Sequence, residues 1–290
     1  MTNTFETIEV QSIGDFLEKT LKTQNEWNSK SERSRLAWFR GVKDTTFTLT
    51  PSYYRFRQKN KNRHEDDLRD EFLRRSLPLF QEKPPRDHWE WYFAMQHYDI
   101  PTRLLDWSES SFVGLFFAVY DYLALKQGRL DHDSESPPNE KNAAVWMMDA
   151  VRFNEVMLNK QRRPLFNPDW PILRYDDDNI ADYLSVRPGW GMSPQDGPRV
   201  WPSEPIAIMP PCSNPRLTAQ RGMFVLFGQD ETPLEKSMNW SENDEARLIK
   251  FEIPAECIKP FQDSLRSAGI TPSLLFPELQ MMSAEIMQVL

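Results

Sequence analysis

Ser108-Glu-Ser-Ser-Phe-Val-Gly-Leu-Phe-Phe-Ala-Val-Tyr-Asp-Tyr-Leu-Ala-Leu-Lys-Gln-Gly128 reads as the best-defined helix of the chain. Ser108 suits the N-cap, Glu109 the first turn, Lys126 the last turn and Gly128 the C′ position. Phe112, Val113, Leu115, Phe116, Phe117, Val119, Tyr120 and Leu123 make it apolar on nearly every side, which predicts burial. A helix of that kind needs layers around it. Leu36–Gly41, Ala143–Asp149, 205–209, 223–227 and 247–253 read as strands, the last alternating in period two. The expected class is α+β, one domain over 1–290, with a mixed or antiparallel sheet around a buried central helix.

Helical segments flank this set. Ile13, Phe16, Leu17 and Leu21 recur at three- and four-residue steps, so 12–22 is expected to lay one face on a core within a helical lead-in, 1–35. Pro254 opens a helix ending near Gly269, and Thr271-Pro272 starts another towards the C-terminus. Residues 55–75 interleave Arg55, Arg57, Arg69, Arg74 and Arg75 with Asp66, Asp67, Asp70 and Glu71, the pattern of a solvated helix face. Residues 129–142 read as an exposed loop. Eleven of the chain's 23 prolines fall in 160–215 together with Trp170, Trp190 and Trp201, which predicts an irregular, ordered covering segment or lid.

Composition narrows the function classes. The chain has 290 residues, a formal net charge of -8 and 39% hydrophobic residues, with no apolar run near the ~20 residues of a membrane span. That charge argues against a protein that coats nucleic acid through counterion release. Cys212 and Cys257 form no framework, and His64, His88, His97 and His132 are scattered, so neither a disulfide scaffold nor a metal is expected. The N-terminus lacks the basic-then-apolar pattern of a signal peptide, which leads to a cytoplasmic expectation. Walker A, GxSxG, HExxH and GxGxxG patterns do not occur.

Polar chemistry gathers in Met95-Gln-His-Tyr-Asp-Ile-Pro-Thr-Arg-Leu-Leu-Asp-Trp-Ser108, which sets His97, Arg103 and Asp106 just before the apolar helix. A helix N-terminus with an arginine fork beside it suits a phosphate. The same spacing equally suits an Asp106 that caps the helix, held by Arg103, with His97 buried.

Trp38-Phe-Arg-Gly41, Gln96-His97 followed by Pro101-Thr-Arg-Leu-Leu-Asp-Trp-Ser108, Gly114-Leu-Phe-Phe-Ala118, Asn214-Pro-Arg-Leu-Thr-Ala-Gln-Arg-Gly-Met-Phe224 and Leu275-Phe-Pro-Glu278 occur in the order found in FRG-domain proteins, which the chain resembles over about residues 36–280. Phe39-Arg40-Gly41 is the namesake triplet. The chain departs from the usual pattern at Asp99, where a glycine is common, and at Met95; Asp tolerates a left-handed turn better than most residues. The resemblance implies a bacterial or phage setting of mutual conflict, as a defence effector or toxin.

The Trp-Phe-Arg-Gly strand is also similar to the first motif of arginine-type ADP-ribosyltransferases, whose arginine holds a phosphate or ribose of NAD. That likeness implies an ADP-ribosyltransferase-like architecture. It also implies NAD as substrate, a small phosphate-bearing ligand in any case, and a protein or nucleic-acid acceptor. Arg40 and Arg103 become the pyrophosphate clamps, with Gly41, Thr102 and Trp38 beside the cofactor. Asp106, Gln220 and Glu278 are the candidates for stabilising the ribose cation, and His97 for orienting the cofactor or serving as base. A non-catalytic module that binds a nucleotide, nucleic acid or protein fits the same residues.

Overall fold

The computed structural model describes residues 5–29, 37–80, 84–121, 125, 141–161, 172–184, 202–211, 214–238, 240 and 247–289. Among them eight strands make one mixed sheet in the order β1-β8-β4-β2-β3-β7-β6-β5. The strands are β1 (Glu6–Glu9), β2 (Ala37–Val42), β3 (Leu104–Ser108), β4 (Ala143–Asp149), β5 (Leu173–Arg174), β6 (Ile206–Met209), β7 (Gly222–Leu226) and β8 (Leu248–Ile253). The two outermost pairs are parallel and the five between them antiparallel.

β3 lies where the helix N-terminus was expected. In Leu104-Leu-Asp-Trp-Ser108 the exposed Asp106 falls between buried Leu105 and Trp107, and pairing with β7 completes the ladder. The apolar helix, α5, therefore starts at Ser111 and runs to Val119, capped by Ser110, whose hydroxyl accepts from the Val113 N–H. Asp106 is a strand residue, not a helix cap. The proposed Gly128 terminus and the 129–140 loop lie outside the described residues, as do most of 160–215 and its three tryptophans.

Helices cover both faces of the sheet. On one side α2 (Ser52–Lys59), α4 (His88–His97) and α6 (Ala150–Lys160) bring Tyr53, Tyr54, Phe93, Phe153 and Met157 against Trp38, Trp146 and Phe224. On the other, α1 (Ile13–Ser29), α5, α8 (Ile258–Ser267) and α10 (Leu279–Val289) bring Phe16, Trp27, Phe116, Phe261 and Met281 against Phe39, Val145 and Phe251. The fold is α+β, and its buried helix lies on one face of the sheet. The lead-in supplies a strand as well as a helix, since β1 pairs with β8. Leu21, expected on the inner stripe of α1, is exposed; Phe16, Thr20, Thr23 and Trp27 are buried there.

α3 (Glu65–Ser76) and α2 carry the mixed-charge run. Glu71 pairs with Arg74 and Arg75, and Glu231 with Arg57, as a solvated face requires, whereas Arg69, paired with Asp66 and Asp70, is only 12% exposed. The last helices are α7 (Pro215–Ala219) and α9 (Pro272–Leu275).

Two glycines set how closely α5 approaches the sheet. A Cβ on Gly41 would come within 3.0 Å of backbone atoms of Gly114, Phe117 and Ala118, and one on Gly114 within 3.0 Å of the Phe39 Cβ. Helix and strand therefore touch backbone to backbone at the namesake triplet.

Candidate functional site

β2 and β3 share one bridging pair, Phe39 with Ser108, while β2 pairs with β4 as far as Val42. Continued pairing would set Gly41 opposite Asp106. Instead the Arg40 guanidinium enters the gap, and its Nη1 donates to the Asp106 carbonyl at 2.5 Å and lies 3.6 Å from Asp106 Oδ2. Where the strands part, a cleft of about 400 Å³ opens, the size of a small-molecule site.

The cleft is lined by polar side chains, among them Arg40, Arg55, Gln96, Asp99 and Asp106, and by the apolar Phe39, Val113, Phe117 and Tyr120. Lys43, Asp121, Arg216 and Gln220 complete the lining, so four cationic side chains face three carboxylates on a chain of net charge -8. Lys43 pairs with Asp121, and the Arg216 guanidinium stacks 4.7 Å above the Phe276 ring.

Asp106 is an exposed carboxylate of the cleft lining, its side chain 59% accessible. Gln96 Nε2 donates to its Oδ1 at 2.8 Å, and Thr102 Oγ1 donates to Gln96 Oε1 at 2.5 Å. That relay fixes the amide orientation and leaves Asp106 Oδ2 towards Arg40. α4 delivers Gln96 because Asp87 caps its start and Asp99, with φ of 58°, turns the chain at its end. The left-handed turn expected of Asp99 is present.

Burial pulls the Arg40 pKa below its ordinary value, with Asp106 opposing and Arg55 adding to the fall. Arg55 is lowered by burial too, again opposed by Asp106. Two guanidinium groups share one carboxylate, and Arg40 Nε is buried without a hydrogen-bond partner among the described residues. Four cationic side chains against three carboxylates leave the lining with an excess of positive charge.

Arg40, Gly41, Asp106 and Gln220 of the residues named from sequence meet in this cleft. Gln220 Nε2 donates to the Leu275 carbonyl at 3.0 Å. Gly41 lines the cleft, but the space it lacks is filled by α5.

Arg103 is not there, which corrects the two-arginine clamp. It is wholly buried, with Nε 2.8 Å from Glu65 Oε2, Nη1 donating to the Phe227 carbonyl at 2.7 Å and Nη2 to the Tyr183 carbonyl. Burial alone would lower its pKa; Glu65, Tyr92 and Tyr54 together outweigh that and raise it. Its position just before β3 explains the difference, because Arg103 follows buried Thr102 into the core, against Glu65 of α3 and Tyr92 of α4.

Trp38 is fully buried on the sheet, Thr102 is buried with its hydroxyl serving Gln96, and neither lines the cleft. His97 lies half-buried at the end of α4 with its ring 4.8 Å from Tyr98, away from the cleft lining. Glu278 is exposed just before α10 and does not line the cleft either. Arg221 faces Glu109 at 3.6 Å. Sequence reasoning missed Arg55, which sits in the mixed-charge run, and Gln96, whose neighbour His97 drew the functional reading.

The FRG domain family model matches residues 35–127, from β2 through α5, and so includes Arg40, Arg55, Gln96 and Asp106 but neither Gln220 nor Arg216. No curated protein and no solved structure matches the chain. Among the described residues no helix is long and apolar enough to cross a membrane.

Proposed function

The chain carries an FRG domain, and on that premise we propose that its cleft binds NAD and cleaves the bond between nicotinamide and ribose, as an ADP-ribosyltransferase or NAD glycohydrolase. The observation that carries this is the meeting of Arg40 and Arg55 with an exposed, oriented Asp106 in one cleft. Arg55 and Arg40 take the pyrophosphate, whose charge offsets their desolvation. Asp106 faces the ribose. The glycosidic C–N bond breaks with its electron pair leaving on nicotinamide, and the Asp106 carboxylate stabilises the oxocarbenium-like ribosyl group. Water or an acceptor hydroxyl on protein or nucleic acid then supplies a lone pair to that carbon and loses its proton to solvent. The apolar lining of Phe39, Val113 and Phe117 keeps water from the flat rings.

The proposed setting is the cytoplasm, in conflict between bacteria and phage, where NAD consumption serves a defence effector or toxin. The test is nicotinamide release from NAD by the intact chain. Release should fall by at least about a hundredfold in Asp106→Asn, with ADP-ribose still bound. Binding without any release by the unmodified chain would overturn the catalytic reading in favour of a nucleotide-binding sensor.

A further inference from the structure

Phe47 and Tyr98 are the exposed aromatic rings among the described residues, and Phe47 alone of the two lines the cleft. Phe47 is 48% exposed, and its place is not that of a loose surface residue. It stands on the turn after β2, in which the polar groups are tied down. Asp44, 4% exposed, accepts from the Thr46 N–H at 2.9 Å and the Thr46 hydroxyl at 2.6 Å, and pairs with Lys141. The Phe47 N–H donates to the Asp44 carbonyl at 3.0 Å, the Thr45 N–H to the Asn142 carbonyl at 2.9 Å, and Lys250 Nζ to the Thr45 carbonyl at 3.0 Å. The turn is anchored to β4 and β8, and Lys43, at its start, reaches across to Asp121 beyond α5.

A phenyl ring held out to solvent by a fixed turn at the edge of a cleft is prepared to stack on a flat partner, with little ordering cost left at binding. We infer that Phe47 is the base-stacking residue of the cleft, and that its partner is the adenine ring of the dinucleotide; this rests on the nucleotide reading proposed above. The reacting ribose takes the end where Asp106 and Arg40 lie 3.6 Å apart. Phe47 and Lys43 follow β2 on the turn that lines the same cleft, and the base takes their side. Phe47 thereby sets specificity for a ligand with an aromatic ring over one that offers phosphates alone.

Calorimetric titration of ADP-ribose and of inorganic pyrophosphate into the unmodified chain, Phe47→Ala and Phe47→Trp tests this. Phe47→Ala should weaken ADP-ribose by about tenfold or more, leave pyrophosphate unchanged, and be rescued by Phe47→Trp. Equal effects on both ligands, or no effect on either, would overturn the stacking role while leaving the nucleotide cleft standing. Failure of the unmodified chain to bind either ligand would overturn the nucleotide reading and the stacking role with it. Melting temperatures of the two variants should match the parent, since the ring is not in the core.

Discussion

Gln96 stands between Thr102 and Asp106, accepting from the hydroxyl of one at 2.5 Å and donating to the carboxylate of the other at 2.8 Å. A fully buried threonine thus orients an exposed acid through an amide that can be held only one way round. Gln96→Leu keeps the volume and removes both bonds. Its nicotinamide release should fall in kcat by up to about a hundredfold, with KM and melting temperature little changed. A loss confined to KM, or a fall in melting temperature alone, would remove Gln96 from this positioning role.

Gly41→Ala should destabilise the chain by about 1–3 kcal/mol or more, because the atoms a Cβ would meet are backbone atoms of α5 that no side-chain rotation relieves. Urea unfolding followed by circular dichroism measures it. A neutral effect would mean that α5 sits farther from β2 than described.

Breaking the Arg103–Glu65 pair should cost about 3–5 kcal/mol, since Arg103→Met leaves a buried carboxylate without its cation. Urea unfolding is again the measurement. A variant of undiminished stability that has lost ADP-ribose binding would return Arg103 to the ligand site.

Acid should loosen the turn that bears Phe47. Asp44 is held down to about 2 by Lys141 and Thr46, below its unfolded value of 3.8, so its contribution is complete above about pH 4 and is lost as the pH falls towards 2. Asp44→Asn should flatten the stability profile in that window and leave the neutral range otherwise unaltered in shape. An unchanged acid limb would show that the turn is secured without its charge.

Much of the sheet is legible because period-two burial leaves a direct trace in β8, because a continuous apolar run marks the fully buried β4, and because the apolar run of α5 has nowhere to go but inside. β3 is the instructive miss. Leu104-Leu-Asp-Trp-Ser108 is short, and the cap-like serines Ser108 and Ser110 are two residues apart. Local sequence cannot choose between them, whereas pairing with β7 does. The same shift decided the site. Arg103 and Asp106 look equivalent in sequence, but one residue follows buried Thr102 into the core and the other projects from the strand into a cleft. Arg55 was hidden for the opposite reason: it is exposed like its charged neighbours, and only its place in the cleft lining sets it apart from them.

Arg55 therefore gives the most direct test that the cleft is an anion site. Its side chain is anchored by the Thr50 carbonyl at the cleft wall and contributes little to the core. Calorimetric titration of ADP-ribose into the unmodified chain and Arg55→Ala should show affinity lowered about ten- to a hundredfold at an unchanged melting temperature, the size of a charge-assisted hydrogen bond. Equal affinity in the two proteins would contradict the assignment of this cleft to a phosphate-bearing ligand.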